Sequence, residues 1–457
     1  MKIPLARWLS RPASFLIFSG LIFLGLLSAG FILLGSERPG PVDRPNILYI
    51  VIETLRADHL GCYGYLRDTS PHIDRIAEKG ILFENFYSVS SWTNPTVATL
   101  FTGLYPGAVF PPAEHAQAIK QVFPEMRTLA KILKEAGYHT IAFNEHPGLN
   151  RQLNYDQGFQ DFHELWLTSE WQKFGGIGKE NMVEKFKAAL EQSQDRPWFI
   201  YSHLLYPHAL YDAPQPYREM FGPHYHAIRW EESLRVINAY DGEVRYTDEI
   251  IGAIFRQLEQ AGLLGETVVI ITADHGEGFW DHGYQGHGNT LHEELLHIPL
   301  VIYPPGGRQH QPARITHKAS NLDLFPTVLD LAGIPPPGTS AGKSLLRFWQ
   351  RGSSQEDGLI FSESCRIHCV DSVALISGNY KMIYHASDAV EFYDLAADPF
   401  ETKGLAASRD QQIVSEMSAH IKHHLASNAR QRKQRIIRKQ ELDQGVLEHL
   451  KSLGYLQ

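Results

Sequence analysis

Four separated stretches of the 457-residue chain carry side chains that can bind metal ions or anions. Glu53 closes the apolar run NILYIVIE, Thr93 lies in SSWTNPTVATL, His208 in HLLYPHALY, and Asp274 and His275 lie near the start of TADHGEGFWDHGYQGHG. Two carboxylates offer hard oxygen donors, an imidazole offers nitrogen, and a hydroxyl becomes a nucleophile once its proton is drawn away. Each residue also has a bland reading. A strand-end acid can serve local hydrogen bonds, a threonine before a helix can be an N-cap, and most histidines satisfy their neighbours. No single residue decides between the two.

Such side chains need rigid carriers. Asn46 to Glu53 is continuously apolar, β-branched and of buried-strand length. Comparable runs recur at Thr140 to Phe143, Trp198 to Leu204, Thr267 to Thr272 and Pro299 to Tyr303, alternating with helical stretches such as Met126 to Ala136 and Ser233 to Ala261. That alternation predicts an α/β fold, a mostly parallel sheet flanked by helices, with sites gathered at the carboxyl ends of strands. Glu53 and Asp274-His275 fall at such ends. Beyond Pro335 the pattern changes to short extended pieces, Gly358 to Ser362 and Tyr380 to His385, and the turn-rich FYDLAADPFETKGLA. A small α+β subdomain is expected over 336–418. Residues 419–457 read as a basic helical tail with Lys422, Arg430, Arg432, Lys433, Arg435, Arg438 and Lys439, either a solvated face or a contact for anionic lipid or an acidic partner.

Composition narrows the partners. A hydrophobic fraction of 43% is ordinary for a globular core, and a net charge of -9 with mixed signs gives no basic field to recruit nucleic acid. Cys62, Cys365 and Cys369 are too few for a disulfide scaffold and lack zinc-ribbon spacing; Cys365 and Cys369 either pair or stay free thiols. Phe15 to Leu34 holds no charge and is long enough to span a bilayer, with Lys2, Arg7 and Arg11 before it. The expected topology is a cytoplasmic 1–14, a transmembrane anchor at 15–34, a linker at 35–45 and an exported domain, periplasmic or extracellular, on the cell inner or plasma membrane. A cleaved signal peptide is the alternative, although Ser28-Ala29-Gly30 is a poor cleavage site.

In chain order, PNILYIVIETLRADHLGCYGY, SPHIDRIAEKGILFENFYS, TVATLFTGLYP, HLLYPHALYDAP, ADHGE with HEELLHIPLVIY, LDLFPTVLDLAGI, FYDLAADPFET and LKSLGYL resemble the sulfatase family of the alkaline phosphatase superfamily, over nearly all the chain after the anchor. The resemblance implies an alkaline-phosphatase-like catalytic domain, here 46–335, with a nucleophile at the start of a helix and a divalent metal shared between nucleophile and acidic ligands. This chain departs from the family's pattern at the nucleophile. Sulfatases proper carry a Cys or Ser, oxidised to formylglycine, within Cys/Ser-x-Pro-x-Arg; here stand Thr93-Asn94-Pro95-Thr96-Val97. Oxidised threonine would be a ketone, so the aldehyde-hydrate mechanism is expected to be absent. The family's opening pair of aspartates is also replaced, by Glu53 and Thr54.

Glu, Thr, then Asp-His is similar to the lipid-phosphoglycerol and phosphoethanolamine transferases of the same superfamily. The implied metal ligands are Glu53, Thr93, Asp274 and His275 around one divalent ion: zinc, manganese or calcium. Thr93 is the implied nucleophile, and Pro95 in the first helical turn leaves free N–H groups ahead of it to hold an ester oxygen. The resemblance makes His208 a contact to the substrate anion and sets His282 and His287 where further donors stand. Asn94 joins them as substrate-binding, and His287 would protonate the leaving oxygen. His203, His292 and His297 are expected to serve local hydrogen bonds only. The expected function is cleavage or transfer of a phosphoester through a covalent Thr93 intermediate, on a glycan or lipid head group. The alternatives are a sulfuric ester hydrolase acting on a sulfated glycan or small molecule, and a catalytically silent binding protein.

Overall fold

Runs that are apolar on both faces become the middle of the large sheet, because strands covered by helices on each side need no polar alternation. The strands are β1 (Asn46–Ile52), β2 (Ile81–Phe83), β3 (His139–Asn144), β4 (Asp161–Glu164), β5 (Trp198–Leu204), β6 (Thr267–Ala273), β7 (Leu300–Tyr303) and β8 (Ala313–Ile315). Every residue of β1, β3, β5 and β6 is buried. The computed structural model describes residues 44–457 except 111–120, 169–175, 194, 223–232, 307–310, 350–357, 365–370, 407–409, 433–442 and 453–457. The expected anchor at 15–34, the segments 1–14 and 35–43, Cys365, Cys369 and much of the basic tail therefore lie outside the described residues. Among those described, no helix is long and apolar enough to cross a membrane.

The sheet order is β8-β2-β7-β6-β1-β5-β3-β4. It is mixed rather than simply parallel: β7 runs antiparallel to both β6 and β2, while β6, β1, β5, β3 and β4 form a parallel series. The expected strands are present within a residue or two, but the edge strands β4 and β8, and β2 beside β8, are only three or four residues long and carry too little periodicity to be read from sequence. Two sequence-distant residues, Glu53 and Asp274, follow β1 and β6 directly, and those strands pair in register from Asn46↔Thr267 to Ile52↔Ala273. The pairing delivers both carboxylates to one edge. The helix Ser233–Gln260 packs over this half of the molecule with a long buried stripe, including Tyr240, Val244, Ile251 and Leu258.

The C-terminal part forms an antiparallel sheet of β9 (Ile360–Glu363), β10 (Ser372–Ser377), β11 (Tyr380–His385) and β12 (Val390–Asp394). The helix Gln411–Arg432 runs across the expected 418/419 boundary and buries Met417 and Ile421 in one apolar cluster with Val373, Leu375, Met382 and Phe392 of that sheet. Lys422, Arg430 and Arg432 thus ride on a helix that is packed on one side. Buried Glu363 joins it to the main body, accepting from His424 Nε2 at 2.6 Å and from the Gly107 N–H at 2.5 Å.

Candidate active site

Glu53 and Asp274 are fully buried, and the hydrogen bonds around them show which oxygens are committed. Asp274 Oδ1 accepts the backbone N–H groups of Thr54 at 3.0 Å and His275 at 2.8 Å. Its Oδ2, also buried, has no hydrogen-bond partner and lies 3.3 Å from His275 Nε2. Glu53 Oε1 accepts from the Thr93 hydroxyl at 2.6 Å, and the same hydroxyl lies 3.2 Å from His275 Nε2. His275 Nδ1 donates to the Gly276 carbonyl at 2.8 Å, which leaves Nε2 as the coordinating nitrogen. Gly276 is required here: a Cβ would collide with the Glu294 carbonyl, and its N–H bonds Leu295 O at 2.8 Å.

Thr93 is the first residue of the buried helix Thr93–Thr102, preceded by extended Trp92, with Pro95 in the first turn as expected. The hydroxyl is therefore held by the helix start rather than by a mobile loop.

Burial sets the protonation of the cluster. Burial, with the Glu53 charge beside it, raises the Asp274 carboxyl to about 6. Burial lowers His275 and His203 to about 4. It does the same to His208, with His287 adding to the effect, and drives His146 well below its ordinary value. Neutral imidazoles beside two buried carboxylates form a donor set rather than a charge-compensated one. One coordinating atom from each of Glu53, Asp274 and His275 lies within 4.8 Å of the others. Together with the partnerless Asp274 Oδ2, that arrangement fits a divalent cation, with Thr93 Oγ beside it.

Two expected residues sit with this cluster. His287 lies with its ring tilted 4.5 Å from that of His275 and 5.0 Å from Trp92, and His208 lies 5.2 Å from His287, centroid to centroid. Two others do not belong with it as expected. Asn94 is next to Thr93, but its amide nitrogen donates inward to Gly148 O at 2.7 Å and to the Tyr155 hydroxyl at 3.2 Å, so it braces a loop rather than presenting that group to substrate. His282 is carried away altogether. Gly278–Phe279 pairs with Gln285–Gly286 as a short ribbon, which keeps His287 at its base and puts His282 at its tip. There His282 Nδ1 bonds both Glu294 oxygens at 3.0 Å and its ring stacks on His292 at 3.8 Å. Burial opposes its charge, but Glu294 and the Glu401 carbonyl raise its pKa to about 9. A 570 Å³ cleft lined by Arg56, Asp281, His282, Glu294 and Phe400 lies at this seam and includes neither Thr93 nor its metal donors.

Sequence reasoning also passed over site residues. His203 was expected to act locally, yet its Nε2 lies 2.5 Å from Glu53 Oε2, with Nδ1 tied to the Tyr201 hydroxyl at 2.8 Å. His146 is fully buried 3.9 Å from Glu53 Oε1. Glu277 bonds His287 Nδ1 at 3.0 Å. His292 and His297 do serve local partners, the latter bonding Glu84 O at 2.8 Å.

The sulfatase family model matches residues 45–334, and the model of the C-terminal part of N-sulphoglucosamine sulphohydrolase matches 280–431. The ulvan-active sulfatase of Formosa agariphila is 24% identical over 436 residues, covering 85% of this chain and 83% of that protein. Human arylsulfatase A is 24% identical, covering 78% and 77%. In fold, the phosphonate monoester hydrolase of Silicibacter pomeroyi superposes with a TM-score of 0.70 at 20% identity, over 84% of this chain and 96% of its own.

Proposed function

Because the chain belongs to the sulfatase family, whose members and structural neighbours hydrolyse sulfuric or phosphoric esters, we propose that it cleaves such an ester by attack of the unmodified Thr93 hydroxyl. The observation that carries this reading is the 2.6 Å bond from Thr93 Oγ1 to Glu53 Oε1, beside His275 Nε2. Glu53 is oriented to draw on the hydroxyl proton, and the helix start offers N–H groups to the ester oxygens. A divalent cation held by Glu53, Asp274 and His275 would supply the positive charge that lowers the hydroxyl's pKa and offsets charge on the ester oxygens. Its identity, zinc, manganese, calcium or magnesium, is open to metal analysis. The Thr93 oxygen bonds to phosphorus or sulfur while the bond to the leaving oxygen breaks, His287 gives that oxygen a proton, and His208 faces the anion. Water attacking the Thr93 ester then restores the hydroxyl. Mass spectrometry of the protein after incubation with paired phosphate and sulfate esters tests this reading. An adduct on Thr93 supports it, and turnover without any adduct or Thr93 dependence refutes it.

Two readings of the ester follow from different observations. The absence of Cys or Ser at position 93 removes the aldehyde route to sulfate release and favours phosphorus. The relatives' names favour sulfate: one acts on ulvan, another is a hexuronate-2-O-sulfatase, and on that ground a sulfated glycan is the alternative substrate class.

Metal content gives a direct check. The purified domain is expected to hold one divalent ion per chain, lost in Asp274→Ala; two ions per chain, or unchanged metal in the variant, would show that the donor set is misassigned. The uncharged run 15–34 and its flanking Lys2, Arg7 and Arg11 support a single-pass anchor with the domain from Pro45 outside. External protease should then digest the domain in intact spheroplasts, and full protection would reverse the topology.

A further inference from the structure

Glu277 stands two residues beyond His275 but contributes nothing to the Glu53, Asp274 and His275 donor set. Its side chain is 1% exposed, and each carboxyl oxygen already has a side-chain partner: Oε1 meets His287 Nδ1 at 3.0 Å, and Oε2 accepts from the Tyr211 hydroxyl at 3.0 Å. Its carbonyl accepts from Arg56 Nη1 at 3.0 Å, and Arg56 is itself paired with Asp58 and Asp281. Three segments thus converge on one residue: the turn after β1, the loop after β5 and the loop after β6. A carboxylate held at both oxygens, on a backbone itself held by Arg56, is more than a loop residue needs for solubility. It fixes the plane of whatever ring it bonds.

We propose that Glu277 is the positioning residue of His287: by accepting from Nδ1 it fixes the ring's tautomer and plane, so that the ring acts on the ester through Nε2. The geometry supports this from both ends. His287 lies against His275, which itself touches Thr93 Oγ1, so its ring borders the reacting atoms. Trp92 and His208 confine the ring's other sides. A ring so packed and anchored at Nδ1 can present only one nitrogen toward the ester, and a carboxylate partner steadies it whether it carries one proton or two. Glu277 does not touch substrate in this arrangement; it works through His287. The inference rests on the proposed leaving-group role of His287.

The test compares 4-nitrophenyl with phenyl esters of phosphate and of sulfate, using whichever anion the protein turns over. Proton donation matters little for the good 4-nitrophenol leaving group and much for phenol. Glu277→Gln cannot accept from both His287 and Tyr211, so one partner must turn. Its kcat on the phenyl ester is expected to fall by about 100-fold, its kcat on the 4-nitrophenyl ester by less than about 3-fold, and KM to stay put. His287→Gln should show the same pattern, and the double variant should be no worse than His287→Gln alone. A purely structural role would lower both esters equally together with thermal stability, and that result overturns the proposal. If His287→Gln shows no leaving-group dependence, the reading of His287 fails first. A leaving-group effect in His287→Gln without one in Glu277→Gln defeats only the positioning role. Should Glu277→Gln not fold, Tyr211→Phe keeps the carboxylate and removes one of its two clamps; a smaller loss confined to the phenyl ester supports the proposal, and an equal loss on both esters refutes it.

Discussion

Thr93→Ala is expected to lower kcat by about 10⁴-fold or more, some 5 kcal/mol of transition-state stabilisation, while leaving metal bound. The expectation follows from where the hydroxyl is held. Thr93 is fully buried, fixed by the first turn of its helix, and meets Glu53 Oε1 and His275 Nε2 at hydrogen-bond distance. Glu53, Asp274 and His275 keep their donor atoms in the alanine variant, so the loss reads on the nucleophile and not on the metal site. Thr93→Ser keeps the oxygen and loses only a methyl group, and should retain a measurable fraction of activity. The same chemistry orders the esters. A phosphothreonine can be displaced in line by water, whereas sulfate release by hemiacetal cleavage needs an aldehyde that Thr93 cannot supply. Wild-type protein should therefore favour phosphate over matched sulfate esters. Full activity in Thr93→Ala would end the nucleophile assignment, and faster turnover of sulfate esters would leave the glycan-sulfate reading as the better one.

The fold was legible where burial leaves a long signature. A strand enclosed on both faces writes a continuous apolar run, so β1, β5 and β6 could be read almost to the residue, and with them the strand ends that hold Glu53 and Asp274. Short edge strands and the reversal of β7 write no such pattern. Among site residues, His203 had a signal that went unused. It lies inside the fully buried β5 on the same face as Tyr201, and a buried imidazole must find polar partners. His146 follows the carboxyl end of the parallel strand β3, where side chains of a site collect, but nothing in Glu145-His146-Pro147-Gly148 tells which neighbour it meets. His282 and His287 show the limit of spacing. Five residues apart in one Gly-rich stretch, they are separated by a ribbon whose turn sends one to the Thr93 cluster and the other to Glu294 and the Glu401 carbonyl.

Lys381→Met should destabilise the protein by about 3–5 kcal/mol, the cost of leaving a buried charge without its partner. Lys381 lies on β11 with no exposed surface, its Nζ 2.9 Å from Glu293 Oε1 and 2.8 Å from Glu401 Oε1. Burial works against its charge, but the two carboxylates overcome this and hold its pKa above the ordinary lysine value. Methionine fills the space of the stem and removes only the ammonium, leaving two carboxylates facing each other where Glu401 is 2% exposed. Glu401 also accepts the Glu293 N–H at 2.7 Å, so the strain passes to the helix Glu293–Leu296, whose Leu295 carbonyl holds the Gly276 N–H between His275 and Glu277. Equilibrium urea unfolding measures the loss as a lower midpoint at unchanged slope. Adding Glu401→Gln to Lys381→Met removes the orphaned charge and should recover most of the stability, because the pair matters chiefly through the cost of breaking it. A loss below about 1 kcal/mol, the range of an exposed ion pair, or a double variant no better than the single one, would mean that water reaches this seam. The C-terminal sheet would then be a cover over the Asp274–Leu296 segment and not the clamp that fixes it.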